Sequence, residues 1–187
     1  MGIALADAAA EYGADVELVL GPVDILPQNK SVKVINVTSA QLMTDECIAR
    51  FGNCDIAILA AAVADFTPES VTGTKIKRTD NELIIKLKPT IDIASELGRN
   101  KKKKQLLVGF ALETDNELEN AISKLKRKNL DIIVLNSLKE EGAGFGFDTN
   151  RITIIDKRNN IDKFELKSKK EAAKDILNKI VSMIEYI

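Results

Sequence analysis

Apolar residues recur along this chain in two alternating rhythms, one helical and one extended. Residues 2–11 are alanine-rich and predict a helix, with Gly13 placed to end it. Val16-Glu17-Leu18-Val19-Leu20 predicts a strand stopped by Gly21-Pro22, and residues 32–37 predict a second. Ser39 is positioned to cap a helix with Leu42, Met43, Ile48 and Phe51 on its apolar side and Gly52 past its end. Residues 55–63 form a continuous apolar run, the pattern of a strand buried on both faces.

The middle of the chain breaks the rhythm. Residues 66–80 are polar, with Pro68, Gly73 and three basic side chains, and residues 83–87 then predict a short strand. Residues 93–97 predict a short helix closed by Gly98. Alternation resumes with a strand at 106–110 and a helix boxed by Thr114 and Glu117 that presents Leu118, Ala121, Ile122 and Leu125. A buried strand is predicted at 131–135, then a glycine-rich loop and a hairpin over 151–156 and 163–166. Ser168 and Glu171 box the last helix, whose stripe is Ala173, Ile176, Leu177, Ile180 and Ile184.

Such alternation implies right-handed crossovers and an α/β domain, a mainly parallel sheet with helices on both faces. With no repeat and no linker, residues 1–187 are one expected domain, and the polar segment 66–88 is a flap or an arm to a partner. The chain opens on a helix, so the first strand of such a sheet is expected to be missing.

Composition narrows the chemistry. Lysine and arginine total 27 against 28 acidic residues, which gives no electrostatic case for nucleic acid. No apolar run reaches membrane-spanning length. Cys47 and Cys54 form no CxxC pair and suit a reduced, cytoplasmic protein. The absence of histidine removes Ser-His-Asp and Cys-His catalysis and histidine-ligated zinc.

Parallel sheets bind ligands beyond the carboxyl ends of their strands. There Ala60-Ala61-Ala62-Val63-Ala64-Asp65 is a strand ending in small residues and a carboxylate: either a place where a flat ligand meets the backbone, or simple close packing with a turn cap. Lys75-Ile76-Lys77-Arg78 alternates at strand period, as a basic flap over phosphates or as an edge strand protected by lysines. Lys124 and Lys128, one helical turn apart, fit a phosphate site or a solvated face, and Lys101 to Lys104 fit an exposed loop. Gly142-Ala143-Gly144-Phe145-Gly146 is no dinucleotide fingerprint, because a strand follows it rather than a helix. There is no GK[ST] motif, and neither tyrosine is followed four places later by lysine.

Taken in order, several segments resemble the phosphopantothenate–cysteine ligases. They are Met1-Gly2 with its helix, Leu18 to Val23, Ala60 to Phe66 with Pro68, Lys75 to Arg78, and Leu87 to Thr90 with Asp92-Ile93. Val108 to Ala111 with Glu113-Thr114, Lys128 to Asp131, Asn136, and Phe147 to Arg151 complete the series. A proline before the aspartate in that family is Ile91 here. The resemblance implies a Rossmann-like three-layer fold with a C-terminal β-hairpin, and a homodimer contacted through the arm. It implies a CTP-dependent ligase using Mg²⁺, with 4′-phosphopantothenate and L-cysteine as substrates and an acyl-cytidylate intermediate. Lys75 becomes the expected catalytic lysine. Ala60, Ala61, Asp65, Lys75, Ile91, Asp92, Ile93, Ala94, Phe110, Lys124 and Lys128 become the expected nucleotide contacts, and no protein metal ligand is assigned.

The same resemblance implies fusion to, or work beside, a flavin-dependent phosphopantothenoylcysteine decarboxylase. Family members carry a glycine-rich turn, an asparagine and a Ser-Ser-Gly-Lys run before the residues matching Met1-Gly2, so little or no ligase activity is expected from these 187 residues alone. The rival expectations are an NAD(P)-dependent oxidoreductase on a similar sheet and a non-catalytic dimerisation module.

Overall fold

The computed structural model describes residues 1–187 except 79–81, 114, 138–146 and 185–187. The architecture is α/β with a mostly parallel central sheet and, among the described residues, five helices, as the rhythm of the sequence implied. Strands β3 (Ile56–Leu59), β6 (Leu106–Glu113) and β7 (Ile132–Ser137) run parallel in that order. An antiparallel hairpin, β9 (Ile152–Asp156) with β10 (Ile161–Lys163), extends the β7 side. Strands β1 (Glu17–Leu20) and β2 (Lys33–Asn36) form a separate parallel pair.

Alternate strand residues feed two apolar layers. On one face Leu106, Val108, Ile132, Val134, Ile152 and Ile154 pack under α1 (Gly2–Glu11) and α5 (Lys169–Ile184). On the other, Leu107, Ala111, Ile133, Leu135 and Ile155 pack under α2 (Ala40–Phe51), α3 (Ile93–Asn100) and α4 (Glu117–Arg127). Helix ends follow side-chain chemistry. Ser39 Oγ accepts the Leu42 N–H at 3.2 Å. Ser168 and Glu171 form the expected reciprocal box: the Ser168 N–H reaches Glu171 at 3.0 Å and the Glu171 N–H reaches Ser168 Oγ at 3.2 Å. Gly13, at φ 85°, sits past the end of α1, where a side chain would be strained.

Several expectations need correction. The run at 55–63 gives only four strand residues, all half-buried, because among the described residues β3 pairs with β6 on one edge and with no strand on the other. Leu42 and Ile48 are exposed; Met43, Thr44, Cys47 and Phe51 are the residues of α2 turned inward. Residues 83–86 stay exposed and irregular, and the pairing that forms is β4 (Phe66–Pro68) with β5 (Leu87–Pro89). Thr114 lies outside the described residues, and α4 starts after Asn116, whose side chain makes no cap bond. Most of the glycine-rich loop also lies outside them. Ile184 is exposed, and Ala172 joins the α5 stripe instead.

Gly98 does not end α3; it lies within it. A Cβ there would stand 1.9 Å from the Lys128 carbonyl oxygen. The glycine is the condition for α3 to touch the turn after α4.

The lysine run is no simple solvated loop either. Lys101 donates to Asp131 at 2.7 Å, with only 10% and 3% of the two side chains exposed, and Lys102 donates to the Gly52 carbonyl at 2.6 Å. Asp131 also accepts the Leu107 N–H at 2.8 Å and Lys157 at 2.9 Å, tying three connections together at the amino ends of the parallel strands. Burial pushes the Asp131 carboxyl up, but its bonds with Lys101, Lys157 and Leu107 hold it below the usual carboxylate range.

Candidate functional site

Parallel register places Leu59 beside Gly109, so the residues that follow each, Ala60 and Phe110, leave the sheet as neighbours. Both pack against the α1/α5 layer, where Gly2 would bring a Cβ within 3.7 Å of Ala60 Cβ. Small residues here keep the helix start close to the strand end. Ala61 and Asp65 are exposed on the connection that follows. That connection is tied down by Thr90, whose N–H donates to the Asp65 carbonyl at 2.9 Å and whose hydroxyl donates to the Ala64 carbonyl at 2.6 Å. Ile91 and Asp92 come next, which brings the two aspartates onto neighbouring loops.

Asp92 caps α3, accepting the Ser95 N–H at 3.1 Å and the Ser95 hydroxyl at 2.8 Å. Lys128 donates to the same carboxylate at 2.9 Å. Partial burial raises the Asp92 carboxyl, but Lys128 and the Ser95 donors outweigh it and hold the group below its usual range. The carboxylate is therefore charged at neutral pH and fixes the lysine over the start of α3. Ile93, buried, and Ala94 occupy its first turn, where backbone N–H groups have no intrahelical partner. Lys124, one turn earlier on α4, pairs with Glu113 at the end of β6. Each lysine is thus pre-positioned by a carboxylate that a phosphate group can replace.

Of the expected nucleotide contacts, Lys128 is paired with Asp92 at the start of α3, next to Ile91, Ile93 and Ala94, and Lys124 with Glu113 at the end of β6, whereas Ala60 and Phe110 lie toward the α1/α5 side of the sheet. Lys75 is apart from both groups: it lies on the exposed arm and has no ion pair among the described residues. Glu113 and Thr90 are the participants that spacing alone does not reveal. A charged residue ending a long apolar strand, four residues before a helix, was the available signal for Glu113.

A flavin does not fit the described residues. Its ring system needs an enclosed flat slot with apolar or aromatic walls. The chain has no tryptophan, and Phe110 is already packed into the α1/α5 layer. A cavity of about 270 Å³ is lined by Asp156, Lys157, Arg158, Asn160, Lys179, Ser182 and Met183, without an aromatic wall. It lies at the opposite end of the sheet, since Asp156 pairs with the first residue of β7. Among the described residues no group of three or more acidic or cysteine side chains is arranged to hold a metal ion, and no helix is long and apolar enough to cross a membrane.

Residues 1–184 match the family described as the DNA/pantothenate metabolism flavoprotein C-terminal domain. A protein named cysteine/cysteine sulfinic acid decarboxylase, from an unknown prokaryotic organism, is 65% identical over 98% of this chain and 51% of its own length. The coenzyme A biosynthesis bifunctional protein CoaBC of Bacillus subtilis is 44% identical over 98% of this chain and 45% of its own. The chain thus spans about half the length of these curated relatives. Among solved structures, the C-terminal domain of a CoaBC protein superposes with a TM-score of 0.84 at 37% identity, covering 100% of this chain and 83% of that one. A DNA/pantothenate metabolism flavoprotein from Streptococcus pneumoniae superposes at 0.80 with 22% identity, covering 96% and 86%, which supports the fold alone.

These matches correct the expected activity. The family is described as a flavoprotein domain, and the 65%-identical relative carries a decarboxylase's name; neither description is that of a CTP-dependent phosphopantothenate–cysteine ligase. The ligase assignment falls, and with it the acyl-cytidylate chemistry and CTP and Mg²⁺ as substrate and cofactor. An NAD(P)-dependent oxidoreductase gains no support either. The chain belongs to the family of DNA/pantothenate metabolism flavoprotein C-terminal domains.

Proposed function

We propose that this chain serves a longer, decarboxylating flavoprotein of the coenzyme A biosynthesis class as its C-terminal domain, and that its own contribution is a cleft binding a phosphorylated, nucleotide-like ligand. The observation that carries the second part is Lys128, held over the start of α3 by Asp92, with Lys124 held one turn away by Glu113. A phosphate entering there exchanges carboxylate oxygens for its own and meets the free N–H groups of Ile93 and Ala94. Ala61, Asp65 and Ile91, exposed on the adjoining loops, are the surfaces for the rest of the ligand. The decarboxylase part of the reading comes from the relative named for cysteine and cysteine sulfinic acid. Because the described residues do not fit a flavin, no step of such chemistry is assigned to them.

Calorimetric titration with inorganic pyrophosphate tests the cleft. Lys128→Ala is expected to weaken binding roughly ten- to hundredfold, the effect of losing one charge-assisted hydrogen bond worth about 1.5–3 kcal/mol. Equal affinity of the variant and the unaltered protein would refute the cleft.

The arm 66–88 supports self-association, with Lys75 displayed beside the contact. Val71 and Ile84 are 87% and 81% exposed, and Ile76, Leu83, Ile85 and Leu87 are exposed beside them. Apolar side chains gathered on a projecting segment are better satisfied against a second copy than in water. Sedimentation equilibrium is expected to show a dimer that the double substitution Ile84→Glu, Ile85→Glu converts to monomer. A monomeric unaltered protein would exclude this role. A reduced, cytoplasmic setting accords with Cys47 and Cys54, both free thiols whose ionisation burial pushes up, keeping them protonated and poorly nucleophilic at neutral pH.

A further inference from the structure

Backbone pairing fixes some connections of this fold. Ahead of α5, β8 (Thr149–Asn150) and β11 (Lys167–Ser168) bond with Asn150 opposite Lys167. The turn after α4 is fixed differently. The Asn129 N–H donates to the Lys126 carbonyl at 3.2 Å and the Leu130 N–H to the Leu125 carbonyl at 2.9 Å, and Leu125 and Leu130 are buried in one apolar layer. Those paired bonds and that apolar contact belong to a helix ending on a left-handed residue, a place ordinarily taken by glycine. Here Asn129 holds it, at φ 52°.

Asparagine tolerates this backbone, but glycine adopts it more freely, so the side chain needs a use. Its Nδ2 donates to the Gly98 carbonyl at 2.8 Å, and the Asn129 carbonyl accepts Lys101 Nζ at 2.6 Å. Both bonds reach the end of α3: Gly98 lies in its last turn and Lys101 follows it. Lys128, the residue before, reaches the other end of the same helix and meets Asp92 at 2.9 Å. Residues 128 and 129 therefore clasp α3 at its start and at its end. A phosphate entering the cleft takes Lys128 from Asp92, whereas nothing it brings competes for the Asn129 amide. Once the first clasp has opened, the second keeps the Lys128 backbone close enough for its ammonium to reach the first turn of α3.

We infer that Asn129 is a positioning residue for the phosphate cleft: its side-chain amide anchors to α3 the turn that carries Lys128, and so sets the reach of the Lys128 ammonium. This role rests on the reading of the cleft given above and adds to it a residue that touches no ligand. Asn129 acts by preorganisation, which strengthens binding by leaving less to be ordered when the ligand arrives.

Asn129→Gly isolates the side chain. Glycine takes the left-handed backbone without strain, and Asn129 is exposed, so the substitution removes the amide bond without opening a cavity or reshaping the turn. Calorimetric titration with inorganic pyrophosphate compares the unaltered protein, Asn129→Gly, Lys128→Ala and the double variant. Asn129→Gly is expected to melt close to the unaltered protein and to raise the dissociation constant about threefold, toward the lower end of what one neutral hydrogen bond contributes. In the Lys128→Ala background the same substitution is expected to change nothing further, because the ammonium it positions is gone. Equal losses in both backgrounds would mark a purely structural residue and overturn the inference. An unchanged dissociation constant in Asn129→Gly, with the Lys128→Ala loss intact, would overturn it and leave the cleft standing. No loss in Lys128→Ala would remove the cleft and the positioning role together.

Discussion

Asp131→Ala is expected to lower the unfolding free energy by roughly 3–5 kcal/mol at neutral pH, the cost of breaking a buried ion pair from one side. The substitution strands the Lys101 ammonium, 10% exposed, with the Asn129 carbonyl as its remaining recorded partner at 2.6 Å. It also frees the Leu107 N–H in the middle of the apolar layer. Asp131→Asn keeps an acceptor for that N–H and is expected to cost less. The sign with pH follows from the depressed carboxyl of Asp131. A carboxylate whose folded pKa lies below its unfolded value stabilises the fold above the unfolded value, and that contribution disappears as pH falls through the folded value. The difference between the unaltered protein and Asp131→Ala, measured by urea unfolding across acid pH, should therefore shrink toward low pH. A difference that grows on acidification would contradict this assignment.

Gly98→Ala carries the second large effect. The added methyl group meets the Lys128 carbonyl oxygen at 1.9 Å and its carbon at 2.9 Å, and backbone cannot rotate out of the way as a flexible side chain can. Either α3 or the turn after α4 must move. That turn is stiff: Asn129 already adopts φ 52° and its Nδ2 donates to the Gly98 carbonyl at 2.8 Å. Overpacking of this kind costs about 1–3 kcal/mol. The consequence extends to the cleft, because the residue displaced is Lys128, whose side chain Asp92 holds at the start of α3. Gly98→Ala is expected to lose stability and pyrophosphate affinity together, whereas Lys128→Ala loses affinity alone. Thermal unfolding with and without pyrophosphate separates the two patterns, and an unchanged affinity in Gly98→Ala would break the proposed coupling.

Local chemistry was readable in the sequence wherever one segment decides it. The helices α1, α4 and α5, the Ser39 cap and the Ser168–Glu171 box all depend on residues within a few positions of one another, and the fold contains them, although Leu118 at the start of the expected α4 stripe is exposed and only Ala121, Ile122 and Leu125 turn inward. What stayed illegible depends on partners far along the chain. Residues 55–63 have the composition of a buried strand, but burial on both sides requires neighbours on both edges, and β3 has one. Gly98 reads as a helix stop because glycine often is; only contact with Lys128, 30 positions later, shows it to be a close approach. Lys101 reads as a solvated lysine until Asp131 is folded against it.

The site was half legible for the same reason. Asp92 and Lys128 were singled out, and the fold pairs them; Ala60 packs toward the α1/α5 layer, and Lys75 stands apart on the arm. The carboxylate pairings that fix the two lysines join positions 36 and 11 apart and leave no local signature. Activity was the least legible property. The motif series shared along the chain identifies a domain, whereas the names borne by its relatives belong to proteins about twice its length.

A crystal structure of the protein grown with inorganic pyrophosphate tests the central claim most directly. The expected result is a phosphate group within hydrogen-bond distance of Lys128 Nζ and of the Ile93 and Ala94 N–H groups, with the Lys128–Asp92 pair opened. Pyrophosphate bound elsewhere, with that pair intact, would contradict the account.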